Sequence, residues 1–124
     1  MAFSPSLWEG QIGYARAVRV NDIIFVAGTV AADGTGMPQG SNAYEQTLFI
    51  IKKMRKALED VGANIKHVTC TTTHLVSIEH FDDYAKAHKE FFDEIRPVNT
   101  TVVVNSLVRP EFLVEIGAVA IVAN

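Results

Sequence analysis

Two stretches of this chain, "IIFVAGTVA" from Ile23 and "FLVEIGAVAIV" from Phe112, are apolar at odd and even positions alike. A strand with one face in water alternates apolar and polar residues. These two do not, so both of their faces need cover. The rest of the chain offers only two segments with helical period. In the first, Thr47, Ile50, Ile51, Met54, Leu58 and Val61 recur at helical spacing behind Asn42 and Glu45, a capping-box pair, and Gly62 supplies the stop. In the second, Ile78, Phe81, Tyr84, Ala85, His88, Phe91, Phe92 and Ile95 form an apolar stripe that Ser77 can cap and Pro97 ends. Two helices cover one face of a sheet. The other face is expected to be buried between copies of the chain in a symmetric oligomer.

The remaining segments fit around this frame. "YARAVRV", Tyr14 to Val20, alternates, and Asn21-Asp22 is a turn signal before the strand from Ile23, which predicts a β-hairpin. Residues 1–10 read as an irregular arm, and "DGTGMPQGS" from Asp33 as a loop. "HVTCTTTHLV" from His67 and "NTTVVVNS" from Asn99 are rich in β-branched residues and read as strands, with Arg109-Pro110-Glu111 in the turn before the last one. The predicted order is β-β-α-β-α-β-β, an α+β fold in one domain, 1–124. A net charge of -3 argues against a dedicated nucleic-acid binder. No apolar run approaches the roughly 18 residues of a membrane span. The N-terminus lacks the pattern of a secretory signal, and the lone Cys70 excludes an intramolecular disulfide, so a cytoplasmic setting is expected.

Few residues point to chemistry. His67, His74, His80 and His88 show no metal-ligand spacing, so no metal site is expected. His88, inside an apolar stripe, reads as a packed, hydrogen-bonded histidine, and Cys70 as a small buried core residue. The glycines of the Asp33 loop lack the lysine and the strand-to-helix timing of a phosphate loop. Two charges resist a bland reading. Glu115 sits mid-strand between Val114 and Ile116, where a carboxylate is costly unless paired or solvated in a cleft. Gly117, on its parity, removes bulk beside it and leaves room for a ligand. Arg16 interrupts an Ala/Val strand on the parity of Tyr14, as a cleft residue or as one half of a structural ion pair.

Taken in order, "GYARAV", "VAGTVA", "YEQTLFIIKKMRKALEDVGA", "YAKAHKEFF", "RPVNTT" and "LVEIGAVA" resemble the Rid (YjgF-type) family of reactive-intermediate deaminases over nearly the whole chain. The resemblance implies a chorismate-mutase-like α+β fold, a mixed sheet with two helices on one face. It implies a homotrimer with three clefts between subunits. In catalytic members those clefts hydrolyse imines and enamines, such as 2-iminobutyrate and 2-aminoacrylate released by pyridoxal-phosphate enzymes, to 2-oxo acids and ammonia, with no cofactor. An arginine holds the substrate carboxylate by a two-pronged contact, and a glutamate handles water.

By that resemblance Tyr14 matches the tyrosine of the first strand, Gly28 the glycine after the second, and Glu115 the catalytic glutamate. The arginine position is Asn99, the cysteine often found two residues on is Thr101, and a second glutamate is replaced by Gly117. An amide in place of a guanidinium weakens carboxylate binding by roughly 2 kcal/mol, about thirtyfold. Arg16 is the candidate to restore positive charge, with Arg96 and Arg109 in turns and solvated. The expected ligand is a small organic acid or imine bound through Tyr14, Arg16, Gly28, Asn99 and Thr101, with Glu115 catalytic. The competing readings are a trimer that binds a metabolite without turnover and, weakest for an acidic chain with no His/Lys catalytic pair, an endoribonuclease or translation inhibitor.

Overall fold

The computed structural model describes residues 1–122. A single π-helical turn, Glu9–Gly13, precedes β1 (Ala17–Val20) and β2 (Ile23–Val30); α1 (Ala43–Asp60), β3 (Val68–Leu75), α2 (Phe81–Phe92), β4 (Val98–Val103) and β5 (Val114–Ile121) follow. The strands form one sheet in the order β1-β2-β5-β3-β4, with β3 and β4 parallel and the other neighbours antiparallel. The fold is therefore a mixed-sheet α+β arrangement in the predicted element order.

The hairpin closes at Val20↔Ile23, with Asn21 in the left-handed region at φ 54°, a conformation Asn tolerates better than most residues. Asn42 caps α1 by accepting from the Glu45 amide at 2.8 Å, whereas Glu45 reaches back to Ser41 rather than to Asn42. Only the first half of the capping box forms. At the far end Gly62 takes φ 81°, which ends the helix as expected. Helix α2 stops at Phe92, five residues before Pro97. Arg96, at φ 55°, closes the last turn by donating its amide to Phe92 O, so a left-handed cap ends the helix before the proline acts.

Ile24, Val26, Val68, Leu75, Val114 and Ile116 point from the sheet into the helices, where Ile50, Ile51, Met54 and Leu58 meet them, all buried. Each such side chain contributes about 1.5–3 kcal/mol relative to exposure. The alternate positions of the same strands face away from the helices. Ile23, Phe25 and Ile121 are 41%, 51% and 42% exposed there, with Ile23 paired to Ile121 and Phe25 to Val119. This is the uncovered apolar face that strand parity anticipates.

Two register shifts alter the expected parities. In β3 the pairing slips between Val68 and Cys70, so Val68, Thr71, Thr73 and Leu75 face the helices while Cys70, half-buried, shares the open face with Thr72 and His74. Cys70 is thus not a core residue. In β2 the pairing slips between Val26 and Thr29, so Ala27 and Gly28 together oppose Gly117 of β5. The N-terminal arm is tied down as well: Ala2 bridges Ala17, and Glu9 is buried.

Candidate functional site

The bulge at Ala27–Gly28 lies at the end of β1, where the chain enters from the π-turn. A cavity of about 320 Å³ opens at this point, lined by Trp8, Tyr14, Arg16, Gly28, Lys53 and Glu115 among others. Trp8 is fixed by an edge contact with the fully buried Phe112, ring centres 6.0 Å apart.

Glu115 enters from β5 on the open face, its side chain 29% exposed. The space beside it comes from Gly28: a Cβ there would lie 3.0 Å from the Glu115 carboxyl carbon and 3.1 Å from Oε2. Gly117 does not provide this room, because the bulged backbone fills it; a Cβ at Gly117 would stand 3.4 Å from Val26 O and 3.5 Å from Gly28 N. Across the sheet, His74 Nδ1 is 3.6 Å from Glu115 Oε2, too long for a hydrogen bond, and that buried nitrogen has no other partner among the described residues.

Arg16 is 2% exposed and already committed. Its Nε pairs with Glu9 Oε2 at 3.1 Å, Nη1 donates to Gly28 O at 2.9 Å and to Thr29 Oγ1 at 3.0 Å, and Nη2 donates to the Tyr14 hydroxyl at 3.1 Å. Burial alone would raise the Glu9 carboxyl. Donation from the Ser4 hydroxyl and amide, together with the Arg16 charge, reverses this and holds it below the usual carboxylate range. Arg16 therefore forms the structural ion pair, and its charge is balanced by Glu9. It locks the bulge carbonyl and, by donating to Tyr14 O, leaves the Tyr14 proton free to be offered into the cavity.

Asn99 and Thr101 lie elsewhere. On β4 they share the helix-facing side, opposite Thr71 and Thr73. The Asn99 amide donates to Thr71 Oγ1 and to the Tyr84 hydroxyl, both at 3.0 Å, and its carbonyl accepts from Thr101 at 2.8 Å. A second cavity of about 420 Å³ lies here, against Tyr84, His88 and Phe92 of α2. His88 meets Thr71 Oγ1 at 3.0 Å, and burial lowers its pKa to about 4, so it is neutral near pH 7. It is a packed histidine, as its place in the apolar stripe indicates.

Within one chain, then, Tyr14, Arg16, Gly28 and Glu115 come together, and Asn99 and Thr101 do not join them. Sequence reasoning missed Trp8, Glu9 and Lys53. Glu9 was hidden in an apparently irregular arm. Lys53 sits between Ile50 and Met54, at the border of the buried stripe of α1, which is the one signal that could have drawn attention to it. Arg96 is exposed and pairs with Asp93 at 3.0 Å; Arg109 donates to Gly36 O at 2.9 Å. Among the described residues no group of three or more His, Cys, Asp or Glu side chains could hold a metal, and no helix is long and apolar enough to cross a membrane.

A mixed five-stranded sheet, both helices on one side and a carboxylate cleft at a β-bulge define an α+β protein of the chorismate-mutase-like class. Comparison with known proteins narrows this. Residues 9–122 match the family model described as Endoribonuclease L-PSP. SCO2049 of Streptomyces coelicolor is 36% identical over 113 residues, covering 91% of this chain and 84% of that protein. The crystal structure of Rv2704 from Mycobacterium tuberculosis, described as a member of the YjgF/YER057c/UK114 family, superposes with a TM-score of 0.90 at 34% identity, covering 98% of both chains. At 28% identity over 108 residues, 86% of this chain and 85% of the relative, stands the 3-aminoacrylate deaminase RutC of Acinetobacter baylyi. The chain belongs to the YjgF (Rid, endoribonuclease L-PSP) family.

Proposed function

We propose that the cleft around Glu115 hydrolyses a small imine or enamine to a carbonyl compound and ammonia. Glu115 accepts a proton from water as the water oxygen adds to the C=N carbon. The proton passes to nitrogen, the C–N bond of the tetrahedral adduct breaks, and ammonia leaves as the carbonyl forms. Tyr14, held by Arg16, relays the second proton: its hydroxyl donates to the departing nitrogen and is restored by the hydroxyl proton of the adduct as the carbonyl forms. The observation that carries this reading is Glu115 itself, a mid-strand carboxylate pressed against a glycine inside a cavity that also holds a free tyrosine proton. The relative named as a 3-aminoacrylate deaminase supports the reaction class.

The assembly we propose is a homotrimer that covers Ile23, Phe25 and Ile121, with β4 of each subunit, Asn99 and Thr101 included, in the wall of a neighbour's cleft. Light scattering should give three times the 13.6 kDa chain mass, and a monomer at micromolar concentration would refute the assembly. For the chemistry, ammonia release from 2-iminobutyrate generated in situ should fall at least about 100-fold in Glu115→Gln with melting temperature preserved. Equal rates in the two proteins would refute the role of Glu115. The Asn99 amide, spent within its own chain, favours one other reading, ligand binding without turnover. That reading is supported if the wild-type protein releases no ammonia yet is stabilised by a small acid.

A further inference from the structure

With Arg16 neutralised by Glu9, the charge that faces an incoming ligand comes from a different element. Lys53 lies on α1, half-buried, and lines the same cavity as Glu115 and Tyr14. Among the described residues no carboxylate comes within ion-pair distance of it: Arg16, Arg19, Lys56, His74, Arg96 and Arg109 form such pairs, and Lys53 does not. The groups around it are mixed in sign. Burial lowers its pKa most, the Arg16 charge adds to this, and Glu9 and Asp33 oppose the shift without reversing it. A half-buried ammonium without a partner, at the wall of a small cavity, gains most from an anion delivered into that cavity.

We propose that Lys53 is the anion anchor of this cleft, binding the carboxylate of a small 2-oxo or 2-imino acid so that the adjacent C=O or C=N carbon faces Glu115 and Tyr14. A cavity of about 320 Å³ suits a ligand of this size. Lysine is a point charge rather than a fork, so it holds the carboxylate by one prong, and the cavity walls set the orientation of the adjacent carbon. The anchor sits on α1, not on the strand position of Asn99. The inference rests on the proposed function for the location of the ligand and for the groups that its reactive carbon faces.

The test is a titration of the full-length protein with 2-oxobutyrate and with its neutral amide, 2-oxobutanamide, followed by calorimetry. Lys53→Met keeps the aliphatic stem, and Lys53→Arg keeps the charge. The expected result is at least tenfold weaker 2-oxobutyrate binding in Lys53→Met, affinity within about threefold of wild type in Lys53→Arg, and unchanged affinity for the amide in both. Equal affinity of wild type and Lys53→Met for the acid overturns the proposal. So does equal loss for acid and amide, no binding by wild type, or a borohydride-trapped adduct on Lys53, which would make the amine a nucleophile. If Lys53-dependent binding is found and no imine is turned over, the anchor stands and the hydrolase reading falls.

Discussion

Replacing Arg16 by methionine should be among the most damaging single changes in the protein, through stability before any effect on ligand. Methionine fills much of the volume but removes every donor. Glu9, with 5% of its side chain exposed, would keep only the Ser4 donors, while Gly28 O and Thr29 Oγ1 lose theirs. Stranding a buried charge in this way costs about 3–5 kcal/mol, against a total stability of about 5–15 kcal/mol for an ordinary domain. In a chain of this length that corresponds to a fall of roughly 10–20 °C in melting temperature. Glu9→Gln leaves the complementary defect, a buried guanidinium still accepted by Gly28 O, Thr29 and Tyr14, and should cost less, about 1–3 kcal/mol. The two losses should not add, and a coupling of about 1.5 kcal/mol or more is expected in the double mutant. Urea unfolding at one fixed protein concentration measures all four proteins. The pair also sets a pH direction. Because folding lowers the Glu9 pKa, its contribution is complete above the ordinary glutamate value of about 4.3 and is lost as pH falls below it. A cost under about 1 kcal/mol for Arg16→Met, or strict additivity, would refute the view that this pair fastens the N-terminal arm to the bulge.

Gly28→Ala puts a methyl group 3.0 Å from the Glu115 carboxyl carbon without violating backbone φ, so it should displace the carboxylate by tenths of an ångström. Ammonia release is expected to drop about 10- to 100-fold while stability changes by about 1 kcal/mol or less, and full activity would mean that the position of Glu115 is not critical. His88 supplies a second acid sensitivity, since its folded pKa of about 4 lies below the ordinary 6.5. Its contribution is complete above about 6.5 and is lost as pH falls toward 4, by up to about 3 kcal/mol less a discount for its partial exposure. The urea midpoint should therefore fall between pH 7 and pH 4.5, and less steeply in His88→Gln.

The fold was legible because its signals are redundant. The stripe of Ile50, Ile51, Met54 and Leu58, the Asn42 cap and the Gly62 stop all specify α1, and the structure buries that stripe against the sheet. The double-parity strands specified the uncovered face, and Ile23, Phe25 and Ile121 lie on it. What parity could not locate were the β-bulges. One extra residue in β2 turns Gly28 toward Glu115 and fills the space above Gly117, and a slip in β3 moves Cys70 to the face opposite Val68. A period of two cannot reveal the position of its own interruption. The helix end was misplaced for a related reason. Pro97 is a visible stop, whereas the left-handed turn at Arg96 that ends α2 first has no glycine to announce it.

The site was legible only where it depends on local chemistry. A carboxylate between Val114 and Ile116 is conspicuous, and Glu115 indeed lines a cavity. The fate of positive charge is not a local property. Arg16 is neutralised by Glu9, a residue in a segment with no strand or helix period, and Asn99 is turned toward Thr71 and Tyr84 by the strand register of β3 and β4. Lys53 looks like one of several solvated lysines and arginines on α1 until the fold brings β1 and the arm beneath it. Electrostatic roles in a cleft follow from which charges are already paired, and pairing is set by tertiary contacts between segments far apart in the chain. Asn99 on β4 brings no charge of its own, while only the packing of α1 over the bulge shows where an unpaired cation remains.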